Sequence, residues 1–384
     1  MNLTIPEELR MVQTTIRKFV EAEIIPHERE YHDDYQLPDE IKLPLRDKVK
    51  ELGMWNLGVP EELGGGRLST LGWCLSEVET YKTWLGSGIF DGGAPPLLFG
   101  ASDYIKEKYL FPTLRGELRY SGGLTEPGAG GDLAGLATTA ERDGDNYIIN
   151  GSKLWNSWGY YCDYMVVLAR MKGTKRREGV TYFIVDRENP GFVRDRSIPM
   201  MGGWETSESH FTDCVVPSVN RLSPEGEGWR YAQGIHLLRA RIRNVSQTIG
   251  PAERALEMAV DYANQRSTFG EPLANRQMVQ CKLAESAIEV HASRTMMVDL
   301  AWKIDNGVEA GQELSMAKVF ASEMSARVID KAIQIFGAAG YSKDLPLERL
   351  YRDVRRVQII EGPNDIHRWV IARGLLRGHR KVVE

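Results

Sequence analysis

The sequence has few cysteines and histidines, and neither type is grouped. Four cysteines, at positions 74, 162, 214 and 281, are far apart in a chain of 384 residues. They form no Cys-x-x-Cys pair and no Cys/His spacing suited to zinc. The seven histidines are scattered as well. We therefore expect reduced thiols in a reducing compartment and no metal centre.

Long apolar runs and blocks of one charge are also missing. No stretch of about 18 apolar residues could cross a bilayer, and the N-terminus lacks the basic start and apolar stretch of a signal peptide. The expectation is a cytoplasmic protein without membrane insertion, although a processed organelle-matrix protein would have the same features.

The charge distribution gives no sign of a nucleic-acid partner. The 48 basic and 53 acidic residues give a formal net charge of −5 and are spread along the chain. Arg349, Arg352, Arg355 and Arg356 form a local cluster, which we interpret as a solvated or interfacial helix face rather than an anion site.

The apolar periodicity divides the chain into three parts. Helical spacing predominates over residues 1–119 and again over 229–384, where the long stretches are Trp229–Gln265, Asn275–Asn306, Gln312–Phe336 and a final helix Asn364–Arg377. Between them, residues 120–228 contain short runs rich in β-branched and aromatic residues, separated by turn signals. These runs are Asn146–Ile149, Tyr164–Ala169, Val180–Val185 and Ser209–Val216. The pattern predicts a mainly α protein with a central antiparallel β domain, divided as 1–119, 120–228 and 229–384.

Two segments of the β domain contain residues suited to a flat ring with polar edges. Three glycines in Leu124–Asp132 let backbone N–H groups approach a ring or a phosphate closely, although a Pro-Gly loop of this kind is more often only a turn. Strand alternation predicts that Trp155 and Ser157 share one face, as an aromatic wall beside a hydroxyl. A tryptophan in a β domain is otherwise usually part of the core.

Two further residues of interest lie in the helical regions. Arg266 follows a long helix, where it could hold a pyrophosphate or simply place a favourable cation near the helix C-terminus. Glu361 follows two isoleucines and precedes Gly-Pro at the start of a helix. Desolvation would raise the pKa of its carboxyl and the helix N-terminus would lower it. Glu361 is therefore either a base of useful strength near neutral pH or a helix-capping carboxylate.

Taken together, five segments resemble the acyl-CoA dehydrogenase family along almost the whole chain. They are LTEPGAGGD (124–132), NGSKLWNS (150–157), QRSTFG (265–270), QIFGAAG (334–340) and IIEGPNDIHR (359–368), whose E-G-P form resembles one branch of the family. The resemblance implies an N-terminal helical domain, a β-barrel-like middle domain and a C-terminal four-helix bundle. It also implies FAD as the cofactor and oxidation of an acyl-CoA to its trans-2-enoyl thioester.

The resemblance assigns roles to individual residues. Glu361 looks like the base that removes the α-proton, while the β-hydrogen leaves as hydride to flavin N5. The positions implied to contact the flavin are Leu124, Thr125, Gly131, Trp155, Ser157, Pro363 and Asp365. Those implied to hold the adenosine and pyrophosphate, from a neighbouring subunit, are Arg266, Phe269, Gln277, Gln334, Gly337 and Ala338. The substrate positions are Leu238, Arg241, Ile360 and Gly362. A homo-oligomer, either a dimer or a tetramer, and an electron-transfer flavoprotein as acceptor are implied partners.

At several of these positions the chain departs from the usual family pattern. Gly131 stands where a serine is frequent, Pro363 where Thr or Ser is usual, and Asp365 where Gln or Glu is common. Ile360 and Leu238 replace a frequent tyrosine and an acidic residue, so we expect a more apolar pocket with room for a bulkier or branched acyl group. Ala240 occupies the alternative position of the base in one subgroup, which leaves Glu361 as the candidate.

Two other functions remain open from the sequence. One is an oxygen-using flavin oxidase or monooxygenase of the same fold, which the short chain disfavours. The other is a non-catalytic partner subunit, although a pure scaffold would have no need of Glu361, Trp155 or Arg266.

Overall fold

A computed structural model describes residues 5–377, which fall into two compact units. The helical unit comprises residues up to Phe90 together with those from Ala240 onwards, and the sheet unit comprises Asp91–Arg239. The helices between Asp103 and Arg115 group with the sheet unit. The predicted domain boundaries after residues 119 and 228 stay a prediction.

Helices are the commonest element of the described residues. In chain order they are α1 (Glu7–Phe19), α2 (Asp39–Glu51), α3 (Thr70–Thr80), α4 (Asp103–Ile105), α5 (Phe111–Arg115), α6 (Gly228–Tyr231), α7 (Leu237–Gln265), α8 (Gln277–Asp305), α9 (Gly311–Phe336), α10 (Ala338–Tyr341), α11 (Leu347–Arg355) and α12 (Asn364–Leu376). The predicted helix Trp229–Gln265 is divided, because a π-helical turn at Ala232–His236 separates α6 from α7. The other long predicted helices agree with α8, α9 and α12 to within two residues.

The strands lie mainly between Tyr120 and Pro217. They are β1 (Tyr120–Gly123), β2 (Thr139–Asp143), β3 (Asn146–Ser157), β4 (Tyr164–Met171), β5 (Val180–Asp186), β6 (Phe192–Pro199), β7 (Glu205–Pro217), and a small hairpin of β8 (Ser267–Thr268) and β9 (Glu271–Pro272). The first seven form one sheet in the order β1-β4-β2-β3-β7-β6, with β5 paired to β4.

Most strand pairs of the large sheet are antiparallel, as predicted, while β4 also pairs in parallel with β1 and β2. Strands β4 and β5 are buried along nearly their whole length, because their continuous apolar sequences leave no polar face for water. The core of the sheet unit includes Tyr147, Phe183 and Phe211. The predicted fold class, mainly α with a central β domain, is confirmed.

In the helical unit, α9 is the central helix. It packs against α8, α11 and α12, and small or apolar residues such as Ala317, Ala321 and Met324 fill its buried face. Helices α3 and α7 approach closely at Gly250, where an added Cβ would lie 2.1 Å from the carbonyl oxygen of Val78. A glycine is therefore required at this crossing.

The arginine cluster near the C-terminus differs from the prediction. Arg349 is 0% exposed, its Nη1 donates to the carbonyl oxygen of His32 at 2.6 Å, and its guanidinium lies 5.1 Å from the centre of the Trp84 ring. The interpretation of this residue as part of a solvated face is wrong, because the aromatic ring and the carbonyl replace its water.

Two expectations about the whole chain can be compared with the structure. All four cysteines are free thiols, three of them buried and Cys281 exposed. Among residues 5–377, no helix combines the length and the apolar character that crossing a membrane requires.

Candidate active site

Glu361 lies in a short loop between a 3-10 turn (Arg356–Gln358) and the start of α12. Its backbone is left-handed, with φ +55°, and that of Gly362 follows at φ +93°. A non-glycine residue in this conformation costs about 1–2 kcal/mol and persists only where its surroundings hold it. Pro363, with φ −55°, then directs the chain into α12.

Three side chains hold this loop by its carbonyl oxygens, and we call them the carbonyl clamp. Arg241 Nε donates to the Glu361 carbonyl at 2.9 Å, and His367 Nε2 lies 3.3 Å from the same oxygen. Because a carbonyl oxygen only accepts, His367 carries its proton on Nε2, and its Nδ1 accepts from the Ser315 hydroxyl at 3.1 Å. Lys318 Nζ donates to the Gly362 carbonyl at 2.8 Å.

The carboxylate and the backbone N–H of Glu361 are not used in the clamp. Within residues 5–377, neither group makes a hydrogen bond, and the carboxylate has no ion-pair partner within 4.0 Å. Glu361 is half-buried. The loop therefore fixes the main chain of Glu361 and leaves an acceptor and a donor available to another molecule.

Burial and nearby positive charges have opposite effects on the pKa of the Glu361 carboxyl. Burial raises the pKa of its carboxyl, while the positive charges of Arg241 and Lys318 act in the opposite direction without cancelling the rise. Burial also lowers the pKa of Lys318 to about 8 and that of His367 to about 4. At neutral pH the clamp therefore contains a neutral imidazole and two cations.

In the sheet unit, a buried ion pair supports the loop that follows β1. Lys153 is 0% exposed, and its Nζ donates to Glu126 Oε1 at 2.7 Å and to the Leu124 carbonyl at 3.1 Å. Glu126 also accepts from the backbone N–H groups of Ala137 and Thr138. These contacts fix the main chain of Leu124 and Thr125, whose carbonyl in turn accepts from Leu154 N at 2.9 Å.

Trp155 lies at an irregularity of β3. The pairing with β7 shifts register between Lys153 and Asn156, and Trp155 is left-handed with φ +62°. Its indole is 50% exposed, Ser157 is half-buried, and Asn156 between them is buried. The bulge thus turns Trp155 outward instead of into the core of the sheet.

The side chains predicted to meet the flavin fit a planar ring with polar edges. Within the described part of the chain, the hydroxyls of Thr125 and Ser157 make no hydrogen bond. Trp155 offers an exposed aromatic face on the same strand as Ser157. Gly131 is exposed in the loop after Ala129. Two free hydroxyls and an outward indole form a donor set suited to FAD.

The six residues predicted to hold the adenosine and pyrophosphate are all exposed and lie in the helical unit. Arg266 follows α7, Gln277 begins α8, and Gln334, Gly337 and Ala338 surround the junction of α9 and α10. Phe269, at the tip of the β8–β9 hairpin, is 98% exposed. Within residues 5–377, the Arg266 guanidinium has no hydrogen bond or ion pair, so it remains available to an anion.

The remaining predicted residues are placed near the ends of helices. Leu238 is half-buried in the first turn of α7, and Ile360 is half-buried beside Glu361. Asp365 is exposed in the first turn of α12, 3.7 Å from Arg368. Pro363 has no N–H, so its contribution to any bound group is limited to its ring and carbonyl.

Several residues around the candidate site were not predicted. Asn364 and His367 of the helical unit and the Lys153–Glu126 pair of the sheet unit lie within matched motifs, yet the sequence assigned them no role. Lys318 lies outside the matched motifs and had no predicted role either. Asn364 and His367 are three positions apart at the start of α12, and this helical spacing, directly after Glu361, was the available signal. Lys318 is 43 residues from Glu361 and gave no local signal.

The expectation that the protein contains no metal stays a prediction. Asp195, Glu208 and His210 bring possible ligand atoms within 4.8 Å of one another on β6 and β7. Arg196 lies 3.5 Å from Glu208 and supplies a positive charge there instead.

Three family models match consecutive parts of the chain. They are the acyl-CoA dehydrogenase N-terminal domain over residues 6–117, the middle domain over 121–214 and the C-terminal domain over 226–376. Together they account for nearly the whole sequence.

Individual relatives are similar over their full length. An acyl-CoA dehydrogenase of Bacillus subtilis is 34% identical over 97% of this chain and 99% of its own. A caffeyl-CoA reductase–Etf complex subunit, CarC, of Acetobacterium woodii is 34% identical over 97% of this chain and 99% of its own. The structure of butyryl-CoA dehydrogenase from Megasphaera elsdenii superimposes with a TM-score of 0.86, at 31% identity, covering 98% of this chain and all of that one.

Proposed function

The chain belongs to the acyl-CoA dehydrogenase family, and from this membership we propose that it oxidises the α,β-bond of an acyl-CoA thioester to the trans-2-enoyl-CoA. It is an oxidoreductase and a flavoprotein with FAD as its cofactor. The observation that carries the proposal is the geometry of Glu361, whose carbonyl is held twice while its carboxylate and N–H stay available.

In this proposal, the Glu361 carboxylate takes a proton from the α-carbon of the thioester. The α-proton is a weak acid until the thioester carbonyl accepts hydrogen bonds that stabilise the developing enolate. The unpaired backbone N–H of Glu361 is a suitable donor to that carbonyl. When bound, FAD supplies the acceptor for the hydrogen and electron pair that leave the β-carbon.

The charge state of Glu361 supports its role as the base. Burial raises the pKa of the carboxyl, which makes the carboxylate a stronger base than an exposed one, while Arg241 and Lys318 limit the rise. A base must be ionised to act, so the reaction should fail as the pH falls through this raised pKa.

For the cofactor, we propose that Leu124, Thr125, Trp155 and Ser157 hold the flavin, as the free hydroxyls and outward indole suggest. The flavin contacts of Gly131, Pro363 and Asp365 are proposed to be backbone or weak ones, because none of the three has the hydroxyl or amide that the family usually carries there. The exposed group of Arg266, Phe269, Gln277, Gln334, Gly337 and Ala338 is proposed to bind the adenosine and pyrophosphate of a neighbouring subunit.

On the substrate side, we propose that Ile360 and Gly362 contribute to an apolar pocket, with Arg241 fixing the loop that carries the base. Leu238 stays a predicted substrate residue. Ile360 and Leu238 are both half-buried hydrocarbon side chains. Such residues favour a bulky or branched acyl group over a polar one.

The test is anaerobic bleaching of the bound flavin by butyryl-, isobutyryl-, isovaleryl- and octanoyl-CoA. Glu361→Gln should keep FAD and lose about 10²–10⁴ of the bleaching rate, because the amide cannot accept the proton. Glu313→Gln is the control, because it removes an α9 carboxylate that pairs with Lys303 of α8, and it should keep the rate. Wild-type protein that bleaches with none of the four thioesters would contradict the proposal.

We propose an electron-transfer flavoprotein as the acceptor, since the related CarC subunit belongs to an Etf complex. Added electron-transfer flavoprotein should be reduced during turnover under nitrogen. Rapid peroxide formation in air, with no reduction of that acceptor, would instead favour an oxidase.

We further propose a homo-oligomer, because Phe269 places a nearly fully exposed aromatic ring at the tip of the hairpin that follows Arg266. Among the described residues, the Arg266 guanidinium has no partner. Arg266→Ala should weaken FAD binding, and Phe269→Ser should lower the mass measured by sedimentation. Arg327→Ala, which removes an arginine paired with Glu289, is the control for both measurements. A wild-type monomer that binds FAD tightly would exclude this arrangement.

A further inference from the structure

Lys318 is a buried cation without an ion-pair partner in the described part of the chain. It lies on α9 and is 1% exposed, and no carboxylate oxygen lies within 4.0 Å of its Nζ. Its hydrogen bonds go to two neutral oxygens, the Gly362 carbonyl at 2.8 Å and Asn364 Oδ1 at 2.9 Å. A buried ammonium is costly in this setting, so its presence calls for a reason other than stability.

The two acceptors of Lys318 lie on either side of Pro363. They mark the point at which the loop containing Glu361 becomes α12. Asn364 is fixed in turn by Ser322 Oγ at 3.1 Å and Glu323 Oε1 at 3.0 Å, one turn further along α9. Lys318 is thus the end of a polar network that ties this junction to the central helix of the bundle.

The conformation of the loop explains what the network has to hold. Glu361 and Gly362 are consecutive residues with positive φ, and Glu361 has a Cβ that disfavours this conformation. Arg241 and His367 fix the first carbonyl of the pair. Lys318 fixes the second, and without it the loop would be held on one side only.

Charge is the second contribution of Lys318. The groups that face the Glu361 region are Arg241 from α7, Lys318 from α9 and His367 from α12, while Glu323 and Arg368 pair with each other at 2.7 Å. His367 is neutral, because burial lowers its pKa to about 4. Arg241 and Lys318 are therefore the positive charges that oppose the desolvation of the Glu361 carboxylate.

We propose that Lys318 is a positioning residue of the reaction: its ammonium holds the Gly362 carbonyl, and so aims the Glu361 carboxylate, and its positive charge favours the anionic form of that carboxylate. The inference rests on the proposed function of Glu361 as the base. It adds a residue that does not touch the substrate and that acts through the loop.

The experiment compares Lys318→Met, Lys318→Gln and Lys318→Arg in the FAD-loaded enzyme. Methionine removes charge and donor, glutamine removes the charge and keeps a donor, and arginine keeps both. The readout is kcat/KM for butyryl-CoA against pH, or for whichever of the four thioesters bleaches the flavin fastest. Lys331→Met is the matched control, because Lys331 is on the same helix, about 20 Å away by helical rise, and pairs with Glu285 and Glu289.

In Lys318→Met and Lys318→Gln, the acidic limb of the profile should move to higher pH by about 1 unit, in the range expected for loss of a nearby opposite charge. Lys318→Met should also lose rate at the plateau, where Glu361 is ionised in every variant, and Lys318→Arg should restore the acidic limb. Lys331→Met should keep the wild-type profile. A neutral variant whose limb stays in place overturns the inference, and so does a Lys331→Met profile that moves as far.

A second measurement separates this inference from the proposed function. Infrared difference spectra recorded against pH, without substrate, report the protonation of Glu361, with Glu361→Gln identifying its band. The band should titrate at a higher pH in Lys318→Met and Lys318→Gln than in the wild type. If the band titrates at the same pH in the wild type and in both variants, the role of Lys318 is overturned, whether or not any acyl-CoA reacts. If none of the four thioesters reacts, the proposed function fails and this infrared measurement alone decides the role of Lys318.

Discussion

Arg241 binds Glu361 through its backbone carbonyl, with Nε 2.9 Å from the oxygen, and not through its carboxylate. The arginine thus fixes the main chain of the loop and leaves the carboxylate unpaired. A direct ion pair would lower the pKa of the carboxyl and block its oxygens. At a distance, the same charge only moderates the effect of burial.

Replacing Arg241 with glutamine should therefore slow the reaction without removing FAD. A hydrogen bond from a charged donor contributes about 1.5–3 kcal/mol, so we expect a loss of about 10- to 100-fold in kcat, measured by anaerobic flavin bleaching. Arg243→Gln is the control, because Arg243 lies two positions along α7 and donates to Glu77 at 2.7 Å. Equal rate losses in the two variants would argue against a specific role for Arg241.

The desolvation of its half-buried carboxylate should make Glu361 costly for the stability of the fold. Since the folded protein binds the Glu361 proton more tightly than the unfolded chain, stability falls as the pH rises from 4.5 through the raised pKa of the folded state. Glu361→Gln removes this loss. Its Tm should match that of the wild type near pH 4 and exceed it by about 1–3 °C at pH 7.5 in differential scanning fluorimetry.

The control for this stability difference is Glu313→Gln, whose carboxylate is partly exposed and pairs with Lys303. That variant should not gain stability as the pH rises. A Glu361→Gln protein whose Tm is lower than that of the wild type at pH 7.5 would show that the carboxylate contributes to folding, against this argument.

Parts of the site could be predicted from the sequence because their residues are consecutive. The segment Ile359–Arg368 contains the carboxylate, the flexible Gly362 and the start of α12, so its character is visible in one motif. The clamp could not be predicted in the same way. Arg241 and Lys318 are 120 and 43 residues from Glu361, and only the packing of α7, α9 and α12 brings them to the carbonyl oxygens of Glu361 and Gly362.

The fold shows the same division between local and distant information. Strand β4 was predicted as Tyr164–Ala169 from its continuous apolar run, which the structure extends only to Met171. The run Asn146–Ile149 and a strand containing Trp155 and Ser157 were predicted separately. The structure joins them into the one strand β3, because pairing with β7 carries the strand past Gly151 and through the bulge at Trp155. Arg349 was misjudged for a similar reason, since the ring of Trp84 that covers it is 265 positions away.

Gly362 should tolerate no side chain. At φ +93° an alanine would be strained, and its Cβ would lie 3.2 Å from His367 Nε2. Gly362→Ala should cost about 1–2 kcal/mol of stability and also displace the carbonyl that Lys318 holds. We expect a rate loss of about tenfold or more, because small displacements of a catalytic group are expensive.

The comparison for this substitution is Gly311→Ala at the start of α9. A Cβ there meets nothing within 4 Å, and alanine favours the helix. This control should keep both the urea midpoint and the bleaching rate. Wild-type rates in Gly362→Ala would mean that the left-handed loop is not required for the reaction.

The buried pair of Lys153 and Glu126 should be strongly coupled, because each charge is compensated by the other. Lys153→Met leaves the Glu126 carboxylate in the interior with only backbone donors. We expect a loss of about 3–5 kcal/mol in the free energy of unfolding by urea, together with weaker FAD binding.

Adding Glu126→Gln to Lys153→Met removes the uncompensated charge. The double variant should therefore lose less stability than the two single variants together. The pair of Lys172, directly after β4, and Glu141, on β2, provides the control, since it has the same chemistry at 2.6 Å but is exposed to water. Its coupling in the matching cycle should be below about 1 kcal/mol. Equal coupling in the two cycles would mean that burial does not strengthen the Lys153–Glu126 pair. The loop carrying Leu124 and Thr125 would then have to be held by its backbone contacts alone.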